Sequence, residues 1–205
     1  MTPDVNLLVA ASRSDHPHHS TSSVWLSKSL SAAGAGASFT LMPMVVASFL
    51  RLVTSPKIFK VPASIDEALQ FVDALLEQPG VQLAGLGPEW PTLRQLCLDK
   101  QLTGNDLPDA WLAAATLQLG EHLVTFDTVF KKLLPRSKLT VLAARQRTSL
   151  TRLIEEGLQL RLRSAAGPAK APRRRIPVLK GRGGLVSGVN PLSNKALLGA
   201  LDDDA

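Results

Sequence analysis

The chain has no tyrosine, a single cysteine and few aromatics, at 4% of 205 residues. One cysteine cannot close an intramolecular disulfide, so no disulfide framework holds this fold. Cys97 lies in "TLRQLCLDK", where it reads as a small buried hydrophobe rather than a thiol nucleophile. The apolar stretch Ser38–Leu50 is interrupted by Pro43 and ends at Arg51, short of the roughly 20 residues that span a bilayer. The start, "MTPDVNLLVAAS", lacks the basic opening and long apolar run of a secretory leader. A cytoplasmic protein with no membrane partner is the expectation. Apolar residues make up 45% of the chain, enough for a real core, which excludes disorder throughout.

Acidic residues are also scarce, but only in one part. Residues 1–138 hold 11 Lys/Arg against 12 Asp/Glu, a charge of −1; residues 139–205 hold 12 against 5, a charge of +7. A basic tail of this kind is a solvated segment, a nucleic-acid contact or a complement to negative charge on the same molecule.

The first part alternates short apolar runs with helical patterns. "DVNLLVAA", "ASFTLM", "VQLAGL", "HLVTF" and "KLTVLA" read as strands. Between them lie the helical stretches that follow Pro17, Pro43, Ser64, Pro88 and Pro108. Ser64 with Glu67 has the spacing of a capping box. Strands alternating with helices predict an α/β fold with a central parallel sheet covered on both faces. After Arg145 the pattern changes. "RTSLTRLIEEGLQLRLR" sets Leu150, Leu153, Ile154, Leu158 and Leu162 on one helical face, and "SAAGPAKAPRRR" has the composition of a linker. "LSNKALLGALDDDA" suits one short amphipathic helix.

Three aspartates fall where ligand chemistry collects in parallel sheets, outside the carboxyl ends of the strands. Asp4 lies at the first strand, Asp109 in the first turn of the helix after "TGNDLP", and Asp127 directly after "HLVTF". Each also has an ordinary structural reading: a surface residue, a partner for a helix dipole and a helix N-cap, respectively. Together, beside apolar sequence that makes unpaired carboxylates costly, they suit a shared hard cation, Mg²⁺ or Mn²⁺ rather than zinc. "HPHH" places His18 and His19 side by side, not on one helix face, which argues against a zinc site. His122 reads as structural.

"PDVNLLVAA", "SFLRLVTSPKIF", "GNDLPDAWLAA" and "LVTFDTVF", in this order across residues 2–143, resemble the sequence blocks of PIN-domain ribonucleases of the VapC toxin type. The resemblance implies a PIN-like three-layer fold over residues 1–143 and an Mg²⁺- or Mn²⁺-dependent endoribonuclease acting on RNA. Its metal would activate water for in-line attack on a phosphodiester. Asp4, Asp109 and Asp127 would be the metal and catalytic acids, with Asn6 and Asn105 as polar neighbours. Ser48 stands where many relatives carry a glutamate, and no acid occurs from Pro43 to Arg51. That departure supports an alternative: a catalytically impaired fusion remnant acting as a binding or regulatory module in toxin–antitoxin assemblies.

Residues 144–163 and 164–205 resemble parts of a VapB-type antitoxin: a dimerisation helix, then a linker and a neutralising arm, "RRIPVLKGRGGLVSGVNPLSNKALLGALDDD". The resemblance implies toxin and antitoxin in one polypeptide, the arm inhibiting in cis or in trans. Arg182 first and Lys180 second would reach the aspartates, with Ile176, Val178 and Leu185 filling apolar pockets. A homodimer or larger assembly would form through the helix. Only "LTVLAARQR" precedes that helix where the DNA-reading strand should stand. It is either a remnant of that strand or the last strand of the PIN-like sheet, so sequence-specific DNA binding should be weakened or lost.

Overall fold

The computed structural model describes residues 1–142 and 175–202. The antitoxin-like helix and the linker expected between Arg145 and Pro172 lie outside the described residues. No helix among the described residues is long and apolar enough to cross a membrane.

The elements run β1 (Thr2–Pro3), α1 (Val5–Ser12), α2 (His19–Ala33), β2 (Phe39–Leu41), α3 (Pro43–Val53), α4 (Ile65–Leu76) and β3 (Val81–Leu83), then α5 (Trp90–Lys100), α6 (Leu107–Gln118), β4 (Leu123–Thr125), β5 (Leu139–Val141) and α7 (Asn194–Asp202). Every paired strand is parallel: β1 with β4, β4 with β5, and β2 with β3. The Thr40 N–H donates to the Met1 carbonyl at 2.9 Å, which lays β2 beside the start of β1. A central parallel sheet flanked by helices results, as the alternating pattern predicts.

One expected strand is wrong in type. The strand is only Thr2–Pro3, ahead of "DVNLLVAA"; that run itself is the Asp4 cap and then α1, in which Val5–Ser12 are all buried. A continuous apolar run carries no period that separates a buried strand from a helix buried all round. The local signal lay in Asp4, whose extended backbone and side chain, accepting from the Val5 N–H, cap the helix. Pro17 precedes α2 rather than opening it. Cys97 is half-buried, on the wall of a cavity rather than in the core.

The capping box forms as its spacing predicts, with Ser64 Oγ accepting from the Glu67 N–H and the Glu67 carboxylate accepting from the Ser64 N–H. "KLTVLA" contributes β5 at the sheet edge, paired Leu123 to Leu139 through Thr125 to Val141. The core joins α1, α3 and α4 around Leu8, Val9, Phe49, Leu52, Phe71 and Leu75. Leu179 and Leu197, from the C-terminal segment, are buried in that same cluster.

Candidate functional site

Strand β1 delivers Asp4, directly past its carboxyl end, strand β4 delivers Asp127, two residues past its end, and the first turn of α6 delivers Asp109. All three are buried. Asp4 accepts from the Val5 N–H at 2.7 Å and from the Thr125 hydroxyl. Asp127 caps a short 3₁₀ turn, Thr128–Lys132, through the Val129 N–H at 2.9 Å. Burial raises Asp4 to about 6, with the Asp127 charge adding to the rise. Burial likewise raises Asp109 to about 7, and the charges of Asp4, Asp127 and Asp106 push the same way.

Asn194, the first residue of α7, joins these carboxylates. Its side-chain Nδ2 lies 2.9 Å from each Asp4 oxygen and 3.0 Å from Asp109 Oδ1. Its backbone N–H donates to Asp127 Oδ2 at 2.8 Å. Its Oδ1 accepts from Asn6 Nδ2 at 3.1 Å, and Asn6 also bonds Thr125 Oγ1 and the Phe126 N–H. One asparagine thus meets all three aspartates and is itself oriented by Asn6. Outside this knot, Lys195 pairs with half-exposed Asp106 at 3.4 Å.

The donor set is all oxygen, which suits a hard divalent cation. Among the described residues, however, no three His, Cys, Asp or Glu side chains are gathered as a metal shell. Asn194 stands between the carboxylates, its Nδ2 within 3.0 Å of Asp4 and Asp109 oxygens and its N–H on Asp127.

The sequence-derived residues divide accordingly. Asp4, Asp109, Asp127 and Asn6 come together, and Ser48 lines the same cavity as Asp4 and Asp109. Asn105 lies exposed in the 3₁₀ turn Gly104–Asp106. Arg182 and Lys180, expected at the aspartates, are exposed instead. Val178, expected in a pocket, is 45% exposed, and Leu179 is buried in its place at 5%. The reason is register: the segment pairs with Arg13 at Leu179, so in extended chain the neighbours Val178 and Lys180 face outward. Ile176 and Leu185 pack half-buried against the core.

Asn194 and Thr125 were missed. Three carboxylates beside apolar sequence point to a shared cation, and nothing in that pattern announces the amide and hydroxyl that meet them here. The one local hint for Asn194 is Ser193, whose hydroxyl accepts from the Ala196 N–H at the start of α7.

A cavity of about 750 Å³ opens beside the carboxylates, between α3, α5 and α6. Trp90, Arg94, Cys97, Trp111 and Leu198 line it with Ser48. Trp111 Nε1 donates to Glu89 at 2.9 Å, which fixes one of its edges.

Fold and site define a class first: a parallel α/β domain with carboxylates gathered past the ends of its strands. The chain belongs to the PIN domain family, which it matches over residues 1–133. It is 39% identical over 132 residues to Ribonuclease VapC31 of Mycobacterium tuberculosis, covering 63% of this chain and 89% of that protein. It is 38% identical over 130 residues to Ribonuclease VapC25 of the same organism, with 63% and 89% covered. Against Ribonuclease VapC43 of that organism the identity is 35% over 130 residues, with 63% and 86% covered.

Proposed function

We propose that this chain is a toxin–antitoxin fusion: a divalent-metal-dependent endoribonuclease domain, residues 1–143, held inactive by its own C-terminal arm. The observation that carries the reading is Asn194, whose amide and backbone N–H bond Asp4, Asp109 and Asp127 at 2.8–3.0 Å. Supporting it are the PIN-family match and relatives named as VapC ribonucleases.

With Asn194 withdrawn, Asp4, Asp109 and Asp127 would hold Mg²⁺ or Mn²⁺. The cation, when bound, would stabilise charge developing at an RNA phosphodiester. The residues of the chain have separate tasks. Thr125 and Asn6 orient Asp4 and the strand end, and burial keeps competing water from the acids. Asn194 occupies the space between the carboxylates, so arm and cation exclude one another. The resemblance of the arm to a VapB-type antitoxin supports inhibition by mimicry of a separate partner. Self-association through residues 144–163 belongs to the same proposal.

The test compares metal-dependent cleavage of a broad RNA panel by the full chain and by a chain ending at Ala143. Cleavage by the truncation and none by the full chain is the expected result. Equal rates would remove the arm as inhibitor. A second reading rests on Ser48, which puts a hydroxyl on the cavity wall beside Asp4 and Asp109 where many relatives are expected to carry a carboxylate. If the truncated domain folds and binds Mn²⁺ but cleaves nothing, the chain is a binding module of toxin–antitoxin assemblies.

A further inference from the structure

Helix α1 is capped by Asp4 at one end and by Arg13 at the other, a separation of about 12 Å for eight residues. The arm meets the Asp4 end through Asn194. At the other end it meets a different structure. Arg13 is 1% exposed, its guanidinium lies 4.0 Å over the Phe59 ring, and it bonds Asp15 twice, at 3.0 and 2.9 Å. A further bond from Arg13 to the Val61 carbonyl at 2.9 Å holds the plane of the group. Arg13 and Asp15 therefore form a rigid pair, and the Arg13 bonds and charge hold the Asp15 carboxyl below its usual range despite partial burial.

The arm lies against this pair by its backbone. The Leu179 N–H donates to the Ser12 carbonyl at 2.8 Å, and the Ser14 N–H returns to the Leu179 carbonyl at 3.3 Å. The Gly184 N–H donates to Asp15 Oδ2 at 3.0 Å, and the Lys60 N–H to the Gly184 carbonyl at 3.1 Å. The Val186 N–H closes the set on the Ile58 carbonyl at 2.9 Å. A Cβ at Gly181 would collide with an Arg13 terminal nitrogen and with both Asp15 carboxylate oxygens. Those atoms are fixed by each other and by Val61, so they cannot swing aside cheaply. Gly184 has φ +68°, a conformation that side chains disfavour.

We propose that Arg13 and Asp15, with the edges at Ser12 and Ile58–Lys60, form a glycine-selective seat for an extended peptide, separate from the carboxylate cluster, and that this seat decides which arm the domain accepts. Its ligand is a segment of the pattern Leu-x-Gly-x-x-Gly, supplied in this chain by residues 179–184. It reads main chain and the absence of a side chain, so the exposed Lys180 and Arg182 are free to vary. The inference rests on the reading of residues 175–201 as an inhibitory arm, but not on nuclease activity, and its test measures docking alone.

The experiment is amide hydrogen exchange by NMR on the full chain, with Gly181→Ala, Gly199→Ala and Asn194→Ala variants. Ser14 and Lys60 report the seat from the domain side, and Leu8 within α1 reports folding. Gly181→Ala should speed exchange at Ser14, Lys60 and Val186 by about tenfold or more, the loss of at least one backbone hydrogen bond, with Leu8 still protected. Gly199→Ala, where nothing beyond the local backbone of its own helix lies within 4 Å of the added methyl, should change none of them. Asn194→Ala should leave Ser14 and Lys60 protected, because the seat holds independently. Wild-type protection in Gly181→Ala, or equal loss at both ends in Asn194→Ala, would overturn the proposal. Asp15→Ala supplies a second arm: it removes the acceptor for Gly184, and undiminished protection of Gly184 and Lys60 there would equally overturn it.

Discussion

Asp4 and Arg13 cap opposite ends of one buried helix, α1, and the C-terminal arm engages both. At Asp4 the arm supplies a side chain, Asn194, to acidic groups; at Arg13 it supplies backbone to a charged pair. The two contacts differ in chemistry and so should fail under different conditions. Cations compete only for the first, and side-chain bulk only for the second.

Asn194→Ala should expose the acids to metal. Hydrogen bonds to charged groups contribute about 2 kcal/mol each, so losing even one favours the cation by about thirtyfold. Calorimetric titration of the full-length variant with Mn²⁺ should therefore show binding at least about tenfold tighter than wild type. Adding Asp109→Asn should reverse the gain. Unchanged Mn²⁺ affinity in Asn194→Ala would mean that the asparagine does not stand in the cation's place.

Stability should depend on pH in two opposed ways. His16 is buried, and burial lowers it to about 3, with its Nδ1 accepting the His18 N–H. The unfolded histidine takes a proton near 6.5, so between about 3 and 6.5 the unfolded state binds more protons. The His16 contribution is full above that window and is lost as pH falls. Asp4 and Asp109, raised to about 6 and about 7, act with the other sign. Their contribution is full below the unfolded value of about 3.9 and is lost as pH rises through 6 to 7. Denaturant unfolding at pH 5 and 7.5 separates them. His16→Asn should gain more stability on acidification than wild type does. Equal changes would mean that His16 takes up its proton in the folded state too.

Much of this was legible in the sequence, for physical reasons that also mark where legibility stops. The positions of Asp109 and Asp127 follow from turn and strand signals that local chemistry imposes, and Ser64 with Glu67 announces its own helix. The α1 run carried only its cap, Asp4, and no periodicity, because a helix buried on every side has no polar face. The arm's register was equally hidden. Whether Val178 or Leu179 points inward depends on one isolated bridge to Arg13, and a slip of one residue inverts every side chain. Arg13 itself shows nothing in sequence of its burial, since Asp15, Phe59 and Val61 reach it only through the fold.

DNA binding should be weak and indifferent to sequence. Arg175, Lys180 and Arg182 are exposed and offer phosphate contacts without base readout. Fluorescence anisotropy with unrelated duplexes should give equal affinities that fall steeply with salt. Tight binding to one operator sequence at physiological salt would show that the residues before the antitoxin-like helix still read bases.

Ser48→Glu tests what the missing acid has cost. Ser48 sits on α3, half-buried, on the same cavity wall as Asp4 and Asp109. A carboxylate there would add a hard oxygen donor to three that already converge on Asn194, and hard cations gain affinity with each such ligand. Placed in the Asn194→Ala chain, the substitution should tighten Mn²⁺ binding by a further tenfold or so, about the value of one charged ligand. In the otherwise unchanged chain, without metal, it should act in the opposite sense. Asn194 brings no positive charge to offset a fourth carboxylate, and like charges in a buried site repel. Thermal unfolding should then move to lower temperature, and added Mn²⁺ should recover part of the loss. If Ser48→Glu leaves both the Mn²⁺ affinity and the unfolding temperature as they were, the side chain at 48 points away from the acids, and serine at that position is no reason for an impaired site.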